Sequence, residues 1–223
     1  MRFSAWTAWR VGIAQAPRYY RYVATRDTII MNMLLRLLWV SLRARFGKRC
    51  EPLGPCTTYF TVLPTDLDVF WHMNNGVYLS IMDLGRVDLL IRSGMMKLMR
   101  RAGYWPIIAA ETIRFKRPLK LWQRFALETR VIGWDDKAFL MEQRFLRRKE
   151  GTGTWAVIAE GIVRARFLSA AGTVPASDYL ALLGEADTPS PVLPEWIAQW
   201  NAVQSSLRET TGANAALDAV QRC

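Results

Sequence analysis

The sequence predicts an α+β domain in which an antiparallel sheet curls around one long central helix. Several segments in the second half of the chain alternate between apolar and polar residues, as strands with one buried face do, and short turns separate them. One long helix precedes these segments, and apolar residues cover much of its circumference. Because such a helix must be enclosed by other structure, a sheet wrapped around it is the most economical arrangement.

The first predicted strand covers residues 56–63, where β-branched and aromatic residues dominate, and Pro64 stops it. The central helix is predicted over residues 76–92. Asn74 or Asn75 can cap it, because a short amide side chain accepts hydrogen bonds from the free N–H groups of a first helical turn. A polar loop therefore connects the first strand to the start of the helix.

A short basic helix and then strands follow the central helix. Gly94 ends the central helix, and Met95–Ala102 can form the basic helix. The later strands are predicted at residues 105–116, 125–132, 139–147 and 155–167. Turn-forming residues join them, as expected in an antiparallel sheet. After the last strand, a proline-rich linker leads to a terminal helix over residues 194–207.

The chain divides into four regions. Residues 1–30 form a basic N-terminal extension, and residues 31–50 contain an amphipathic basic helix. We expect one folded domain over residues 51–170, followed by a C-terminal linker, short helix and frayed tail over residues 171–223. Hydrophobic residues make up 51% of the 223 residues, which is enough for a full core.

The basic charge is concentrated near the N-terminus. The formal net charge at pH 7 is +11, and residues 1–50 hold ten of the Lys and Arg residues against Asp27 as their single acid. The rest of the chain is nearly balanced. Because a nucleic-acid-binding domain should carry its basic footprint on the folded domain, we expect no nucleic-acid partner.

No segment has the roughly 18–20 uncharged apolar residues that span a bilayer. Residues 31–42 come closest, but Arg36 interrupts them, so this helix either lies at a membrane surface or packs on the domain. The arginine-rich, acid-free residues 1–26 resemble an organelle transit peptide, and Met31 or Met33 is an alternative start. We expect a cytoplasmic protein, with peripheral membrane contact through the N-terminal arm and organelle targeting both left open.

The three cysteines are Cys50, Cys56 and Cys223, and no two of them have the C-x-x-C spacing. A single histidine cannot complete a usual zinc site, so we expect no bound metal. We expect free thiols in a reducing compartment rather than a disulfide framework.

The loop before the central helix gathers the residues best suited to acyl-transfer chemistry. It carries Asp66, Asp68, His72, Asn74 and Asn75 within a few residues of a helix start. The helix start offers free N–H groups and the positive end of the helix dipole to a developing oxyanion. A carboxylate beside it can attack a thioester carbonyl or activate water. The alternative is that these residues only form and cap the turn.

This segment resembles the Asp-x-Asp-x-x-Gly-His-x-Asn-Asn-x-x-Tyr-Leu pattern of the 4-hydroxybenzoyl-CoA thioesterase-like hotdog family. Residues 113–119 are similar to the family's strand with an aromatic-x-Arg-Pro step, and residues 131–145 to its central hairpin. The bacterial acyl-CoA thioesterase-like proteins and the animal thioesterase-superfamily-member-six proteins look nearest. The resemblance to the bacterial group covers about residues 31–207.

The resemblance implies a hotdog fold and an acyl-CoA thioesterase that releases a free acid and CoA without a metal or redox cofactor. It implies a homodimer, or a dimer of dimers, with acyl-CoA bound between subunits. The family's catalytic carboxylate falls on Asp68, as nucleophile or general base, whereas Asp66 matches a structural acid. Asp83 lies where some relatives carry an acid facing the site, or it is a satisfied buried carboxylate.

His72 is a candidate general base because imidazole titrates near neutrality. Its alternative role is to bridge backbone groups of the loop and so fix the turn at Asp68. Asn74, Asn75, Gly76 and Tyr78 are the expected substrate-binding residues at the helix start.

One residue departs from the family pattern. Trp71 stands where the family has glycine before the histidine. Glycine there permits backbone angles that tryptophan adopts only with strain, so Trp71 predicts either a strained loop or a different loop path.

Basic residues beside the site are expected to bind the phosphates of CoA. By position the candidates are Arg114, Lys116, Arg117 and Lys120, although alternating charges on a strand also suit a solvated face. A second functional alternative is a non-catalytic hotdog protein that binds lipid or acyl-CoA at a membrane surface. A hotdog dehydratase is less favoured, because the chain has no second histidine.

Overall fold

The computed structural model describes residues 26–149 and 151–210. In chain order the elements are α1 (Arg26–Phe46), β1 (Cys56–Thr61), a 3-10 turn (Pro64–Asp66), α2 (Asn75–Arg92), α3 (Met95–Ala102), β2 (Trp105–Phe115), β3 (Arg124–Trp134), β4 (Phe139–Arg148), β5 (Trp155–Ser169), β6 (Gly172–Val174), α4 (Ala176–Leu183) and α5 (Glu195–Thr210). Most of the predicted extension and of the frayed tail lies outside the described residues.

The strands form one antiparallel sheet in the order β1-β3-β4-β5-β2, and β6 pairs with β5. The central helix α2 packs against this sheet with side chains along much of its length buried. The predicted arrangement of a curled antiparallel sheet around one helix is therefore confirmed. The sequence did not predict β6 and α4. Helix α4 is held by Tyr179, whose ring stacks on Phe167 at a centroid distance of 4.0 Å.

Helix α2 begins one residue before the predicted start and ends at the predicted residue. Of the two asparagines, Asn74 is the cap, and its side chain accepts a hydrogen bond from Gly76 N. Gly94 follows the helix with a φ of 81°, a conformation that glycine adopts without strain. Inside the helix, a Cβ atom at Gly85 would lie 2.5 Å from Leu127 Cδ2. Glycine there lets the helix approach β3 closely.

Helix α1 packs on the domain, which is one of the two arrangements that the sequence left open for this segment. It turns its polar side inward: Asn32 and Arg36 face the domain and bind the carboxylate of Asp66. Val40 and Ala44 are buried beside them, while most of the large apolar side chains of the helix face outward. Among the described helices, none is long and apolar enough to cross a membrane.

The expectation of free thiols is wrong for two of the cysteines. A disulfide joins Cys50 to Cys56, whose Cα atoms lie 5.7 Å apart. The chain turns back between α1 and β1, and this brings the two residues within the range that a disulfide needs. Neither the number nor the spacing of the cysteines reveals such a turn.

Helix α5 covers the outer side of the sheet. Its Ile197 packs in a cluster with Leu140 and Ile162, which alternate along their strands with residues of the main core. Asp135 holds the helix by accepting a hydrogen bond from Asn201 of α5 at 2.9 Å. It also accepts one from Arg164 of β5 at 2.9 Å. Burial raises the pKa of this carboxyl, but these hydrogen bonds and the guanidinium charge outweigh burial and hold the pKa below its ordinary value.

Replacing Asp66 with alanine tests how strongly α1 depends on this carboxylate. Asp66→Ala leaves the guanidinium of Arg36 buried without its anionic partner, and we expect the free energy of unfolding to fall by about 3–5 kcal/mol. Urea denaturation measures the change. Asp136→Ala removes an exposed aspartate and is the matched control, with an expected change below about 0.5 kcal/mol. Equal losses in the two variants would contradict the proposed role.

Candidate active site

The loop between β1 and α2 is anchored by Asp66. Its carboxylate is fully buried and accepts hydrogen bonds from Arg36 Nη2 at 2.7 Å, Asn32 Nδ2 at 3.2 Å and Leu63 N at 2.7 Å. The backbone carbonyl of Asp66 accepts a hydrogen bond from Asn74 N at 2.8 Å. Because a buried carboxylate must be paired, these contacts fix both ends of the loop. Asp66 has the structural role that the resemblance implies.

Asp68 closes a tight turn that ends at His72. Asp68 Oδ1 accepts hydrogen bonds from Phe70 N at 2.8 Å and His72 N at 3.2 Å, and Asp68 N donates to His72 O at 2.8 Å. Among the described residues, Asp68 Oδ2 takes part in no hydrogen bond. The turn therefore orients the carboxylate through one oxygen and leaves the second oxygen available.

Trp71 lies in this turn with a φ of 63°. This is the left-handed region that glycine favours, and an L side chain there costs about 1–2 kcal/mol. Of the two alternatives that the sequence left open for this residue, the strained loop is the one observed. Trp71 therefore holds a backbone conformation that glycine would adopt without strain.

His72 braces the turn through its backbone. Its N–H and C=O both bond to Asp68, and it forms an isolated β-bridge with Lys120. The sequence predicted that the imidazole would bridge the loop, but no imidazole hydrogen bond occurs among the described residues. Asp68 and its neighbours therefore do not need the imidazole to hold the turn, and its role as a general base stays a prediction.

The start of α2 lies directly after this turn. Asn74 Oδ1 accepts a hydrogen bond from Gly76 N at 2.8 Å, and Asn74 O accepts one from Val77 N at 2.9 Å. In the described structure the N–H of Asn75 has no partner, and it lies at the positive end of the helix dipole. Asn75 N–H is therefore an amide of this first turn that can polarise a carbonyl.

Tyr78 lies in the core and does not support the predicted contact with substrate. Its ring packs edge-on against Phe115 and Phe145, at centroid distances of 5.0 and 4.9 Å. Burial raises the pKa of its hydroxyl to about 12, against a smaller lowering by a backbone hydrogen bond with Leu119. Its contacts with the two phenylalanines give Tyr78 a packing role on the inner side of α2.

Asp83 is 66% exposed and forms an ion pair with Arg86, so it is not the satisfied buried carboxylate that the sequence left open. Arg86 is buried and also donates to Gln143 Oε1 at 2.6 Å. Gln143 in turn donates to Met82 O and Thr129 Oγ1, both at 2.9 Å. This polar row crosses the core from the sheet to Asp83. Sequence reasoning missed it, although Gln143 occupies an inward position of an otherwise apolar strand pattern.

An apolar cavity of about 650 Å³ lies between α1, α2 and the sheet. Most of its wall is aliphatic, and its lining includes Met33, Leu37, Leu84, Val87, Leu90, Val131, Met141 and Ala165. Ser80, Asp83 and Arg86 are polar lining residues from α2, and Ser93 follows at the end of the helix. The size and composition suit a small-molecule site. Asp68 is not among the described residues that line the cavity, so one chain does not bring Asp68 and Asp83 together at this cavity.

The predicted phosphate-binding residues lie at the end of β2 and directly after it. Arg114 and Arg117 are exposed, and Lys116 pairs with Glu160 at 2.8 Å. They do not line the apolar cavity, so contact with CoA stays a prediction. Among the described residues, no three His, Cys, Asp or Glu side chains come together as a metal site would require.

An antiparallel sheet around a buried helix, with polar loop residues at the helix start, defines a thioesterase-type hotdog domain. The model of the thioesterase-like superfamily matches residues 62–200, which is more than half of the chain, and the chain therefore belongs to this superfamily. The predicted resemblance is confirmed.

Three curated relatives match part of the chain. Protein THEM6 of Xenopus laevis is 46% identical over 89 residues, which cover 40% of this chain and 43% of the relative. Protein THEM6 of Danio rerio is 37% identical over 118 residues, or 52% and 58% of the two chains. The probable thioesterase YBR096W of Saccharomyces cerevisiae is 27% identical over 138 residues, or 59% and 57%. The chain spans about half the length of these relatives.

Solved structures share the fold. The probable thioesterase YbaW of Escherichia coli aligns with a TM-score of 0.52 at 20% identity, over 58% of this chain and 97% of that chain. A 4-hydroxybenzoyl-CoA thioesterase variant in complex with 4-hydroxybenzoyl-CoA aligns with a TM-score of 0.52 at 16% identity, over 57% and 97%. At these identities the likeness concerns the fold alone, and it confirms the predicted hotdog fold.

Glycine and alanine at position 71 test the left-handed turn. Both Trp71→Gly and Trp71→Ala remove the indole, so the lost contacts cancel in their comparison. Because only glycine is unstrained at this φ, we expect Trp71→Gly to be the more stable variant by about 1 kcal/mol in urea denaturation.

Position 69 is the matched control, because Val69 is exposed in the same turn and has no positive φ. There the alanine variant should be more stable than the glycine variant. If alanine is also preferred at position 71, the turn is not left-handed.

Proposed function

We propose that this protein is an acyl-CoA thioesterase that hydrolyses a thioester to a free acid and CoA. Asp68 is the observation that carries the proposal: two backbone amides orient its carboxylate through Oδ1, beside the start of α2, and Oδ2 is left for chemistry. Membership in the thioesterase-like superfamily supports the reaction class. We further propose that the reaction needs no metal or redox cofactor.

Asp68 can act in either of two ways. As a general base, its carboxylate takes a proton from water, and the resulting hydroxide attacks the thioester carbonyl carbon. As a nucleophile, it attacks that carbon itself, and water later hydrolyses the acyl-enzyme anhydride. In both routes the carbonyl oxygen gains negative charge, and we propose that the N–H of Asn75 stabilises it. The C–S bond then breaks, and the CoA thiolate leaves and is protonated.

The apolar cavity is the proposed place for the acyl group. Its aliphatic wall suits a hydrocarbon chain, and the pair of Asp83 and Arg86 marks its polar side. Since Asp68 does not line this cavity, we propose that a second subunit completes the site.

Replacing Asp68 with asparagine tests the assignment. In the Asp68→Asn variant the side-chain amide oxygen can accept the same two backbone hydrogen bonds, so the turn should persist while the carboxylate is lost. We expect thiol release from a panel of acyl-CoA substrates to fall at least about 100-fold. The matched control is Asp136→Asn at an exposed turn, which should keep full activity.

Two other results would change the proposal. Unchanged thiol release in the Asp68→Asn variant would support the thioesterase activity but would show that Asp68 has no part in the mechanism. No release by the native chain from any acyl-CoA, together with measurable acyl-CoA binding, would instead support a non-catalytic binding protein.

We propose that the second subunit joins at the edge strand β2. This strand has 11 residues, and β5 is its strand partner in the described structure. An open edge of this length exposes unpaired backbone N–H and C=O groups and invites pairing with another strand. Trp105, Ile108 and Phe115 are exposed along it, and Pro106 and Ile108 also line the apolar cavity. Pairing two copies here would close the cavity between them.

Proline in the middle of β2 tests this edge. Ala109 is exposed and lies at a register shift between Ile108 and Ala110, where it has no partner on β5. Ala109→Pro places a ring on the open edge, and we expect the dimer to dissociate at least about tenfold more readily in light-scattering measurements. Ala186→Pro, in the exposed turn closed by Thr188 N and Glu185 O, is the control. A variant Ala109→Pro with the native mass at all concentrations would refute the interface.

A further inference from the structure

Helix α1 exposes an apolar ridge along its outer side. We define the ridge by Leu34, Leu35, Leu38, Trp39, Leu42 and Phe46, whose exposed fractions run from 47% to 88%. Contiguous apolar surface of this kind is rare on a soluble monomer and marks a contact with a partner or a membrane. The inward side of the helix is already occupied by its contacts with the domain.

Basic residues flank the ridge on both sides of the helix. At 3.6 residues per turn, the ridge spans less than half of the helix circumference, with Arg43 just beyond one border and Arg45 just inside the other. Both arginines are exposed. Each border of the ridge opens into a groove.

The first groove, which we call the arginine groove, lies between α1 and the sheet. Its volume is about 650 Å³, and Arg43, Arg124, Arg147 and Arg148 line it together with Trp39, Tyr59 and Trp155. The guanidinium of Arg148 lies over the ring of Trp155, 5.2 Å from its centroid. No Asp or Glu occurs among the described residues that line this groove.

The second groove, which we call the α3 groove, lies between α1 and α3. Its volume is about 700 Å³, and its basic lining residues are Arg45, Lys97, Arg100 and Arg101. All four are exposed, and the described lining again includes no acid. The apolar ridge therefore lies between two positively charged grooves.

We propose that this face docks on an anionic membrane surface. The ridge enters the boundary between headgroups and acyl chains, and the two grooves bind lipid phosphates on either side of it. An apolar helix face bordered by Lys and Arg is the pattern of an interfacial helix, and each basic residue near an anionic surface adds to the attraction.

The charge of this face favours a membrane over two other candidates that could cover the ridge, a second copy of the chain and residues 1–25. A second copy of the chain that met this face through a two-fold axis would bring the same basic grooves against each other. Residues 1–25 contain Arg2, Arg10, Arg18 and Arg21 and no acid, so they carry the same sign of charge as the grooves. An anionic lipid surface is the occupant whose charge complements the face.

Sedimentation of the full chain with vesicles tests the proposal. We expect binding to vesicles of phosphatidylcholine with phosphatidylglycerol, weaker binding as salt rises, and little binding to phosphatidylcholine alone. Leu38→Ser/Trp39→Ser should weaken binding to the anionic vesicles by about tenfold or more. The matched control is Val192→Ser/Trp196→Ser, which removes an aliphatic and an aromatic residue that are 98% and 53% exposed elsewhere on the surface. This control should bind as the native chain does.

Charge reversal tests the two grooves separately. Arg43→Glu in the arginine groove and Lys97→Glu in the α3 groove should each weaken binding about fivefold or more. Lys137→Glu reverses an exposed charge in the turn between β3 and β4 and should have little effect. All of these residues are exposed, and equal unfolding midpoints would show that the variants remain folded.

Three results would overturn the proposal. The first is equal binding to neutral and anionic vesicles. The second is binding that survives the ridge and groove substitutions and disappears only when residues 1–25 are removed. The third is a Leu38→Ser/Trp39→Ser variant that changes the molecular mass in solution and not the binding to vesicles, because that result would make the ridge a protein interface.

Discussion

The ion pair between Arg36 and Asp66 connects the parts of this protein that carry the candidate site. Asp66 is fully buried, and its carboxylate joins helix α1, the end of β1 and the loop that carries Asp68. Because a buried carboxylate needs its partners, α1 must turn Asn32 and Arg36 toward the domain. The same orientation sends the leucines of α1 outward. One ion pair thus holds the loop of the candidate site and creates the apolar ridge.

The turn at Asp68 holds its shape although a tryptophan lies in a left-handed conformation. Trp71 holds a left-handed conformation, while the amides of Phe70 and His72 bind Asp68 Oδ1 and define the turn around it. The hydrogen bonds of the turn, together with the anchor at Asp66, offset a local cost of about 1–2 kcal/mol. Backbone contacts therefore orient the carboxylate.

Helix α1 is shared by the cavity and the ridge. Met33, Leu34 and Leu37 contribute to the cavity wall, and Leu34 also belongs to the apolar ridge. A membrane contact through the ridge would place the cavity wall close to the lipid surface. An apolar acyl group would then have only a short distance to travel between a membrane and the cavity. The proposed thioesterase activity and the proposed membrane docking are therefore compatible, although neither depends on the other.

The sequence by itself determined the α+β arrangement, a capping asparagine at position 74 or 75 and the superfamily, because hydrophobic periodicity, capping residues and an ordered motif are local features of the chain. Only the tertiary structure decided which side of α1 is buried, since Arg36 finds its carboxylate 30 residues away at Asp66. It likewise placed Tyr78 in the core, paired Asp83 with Arg86 and joined Cys50 to Cys56. The physical reason is that a charged, aromatic or thiol side chain takes its role from partners that long-range packing supplies.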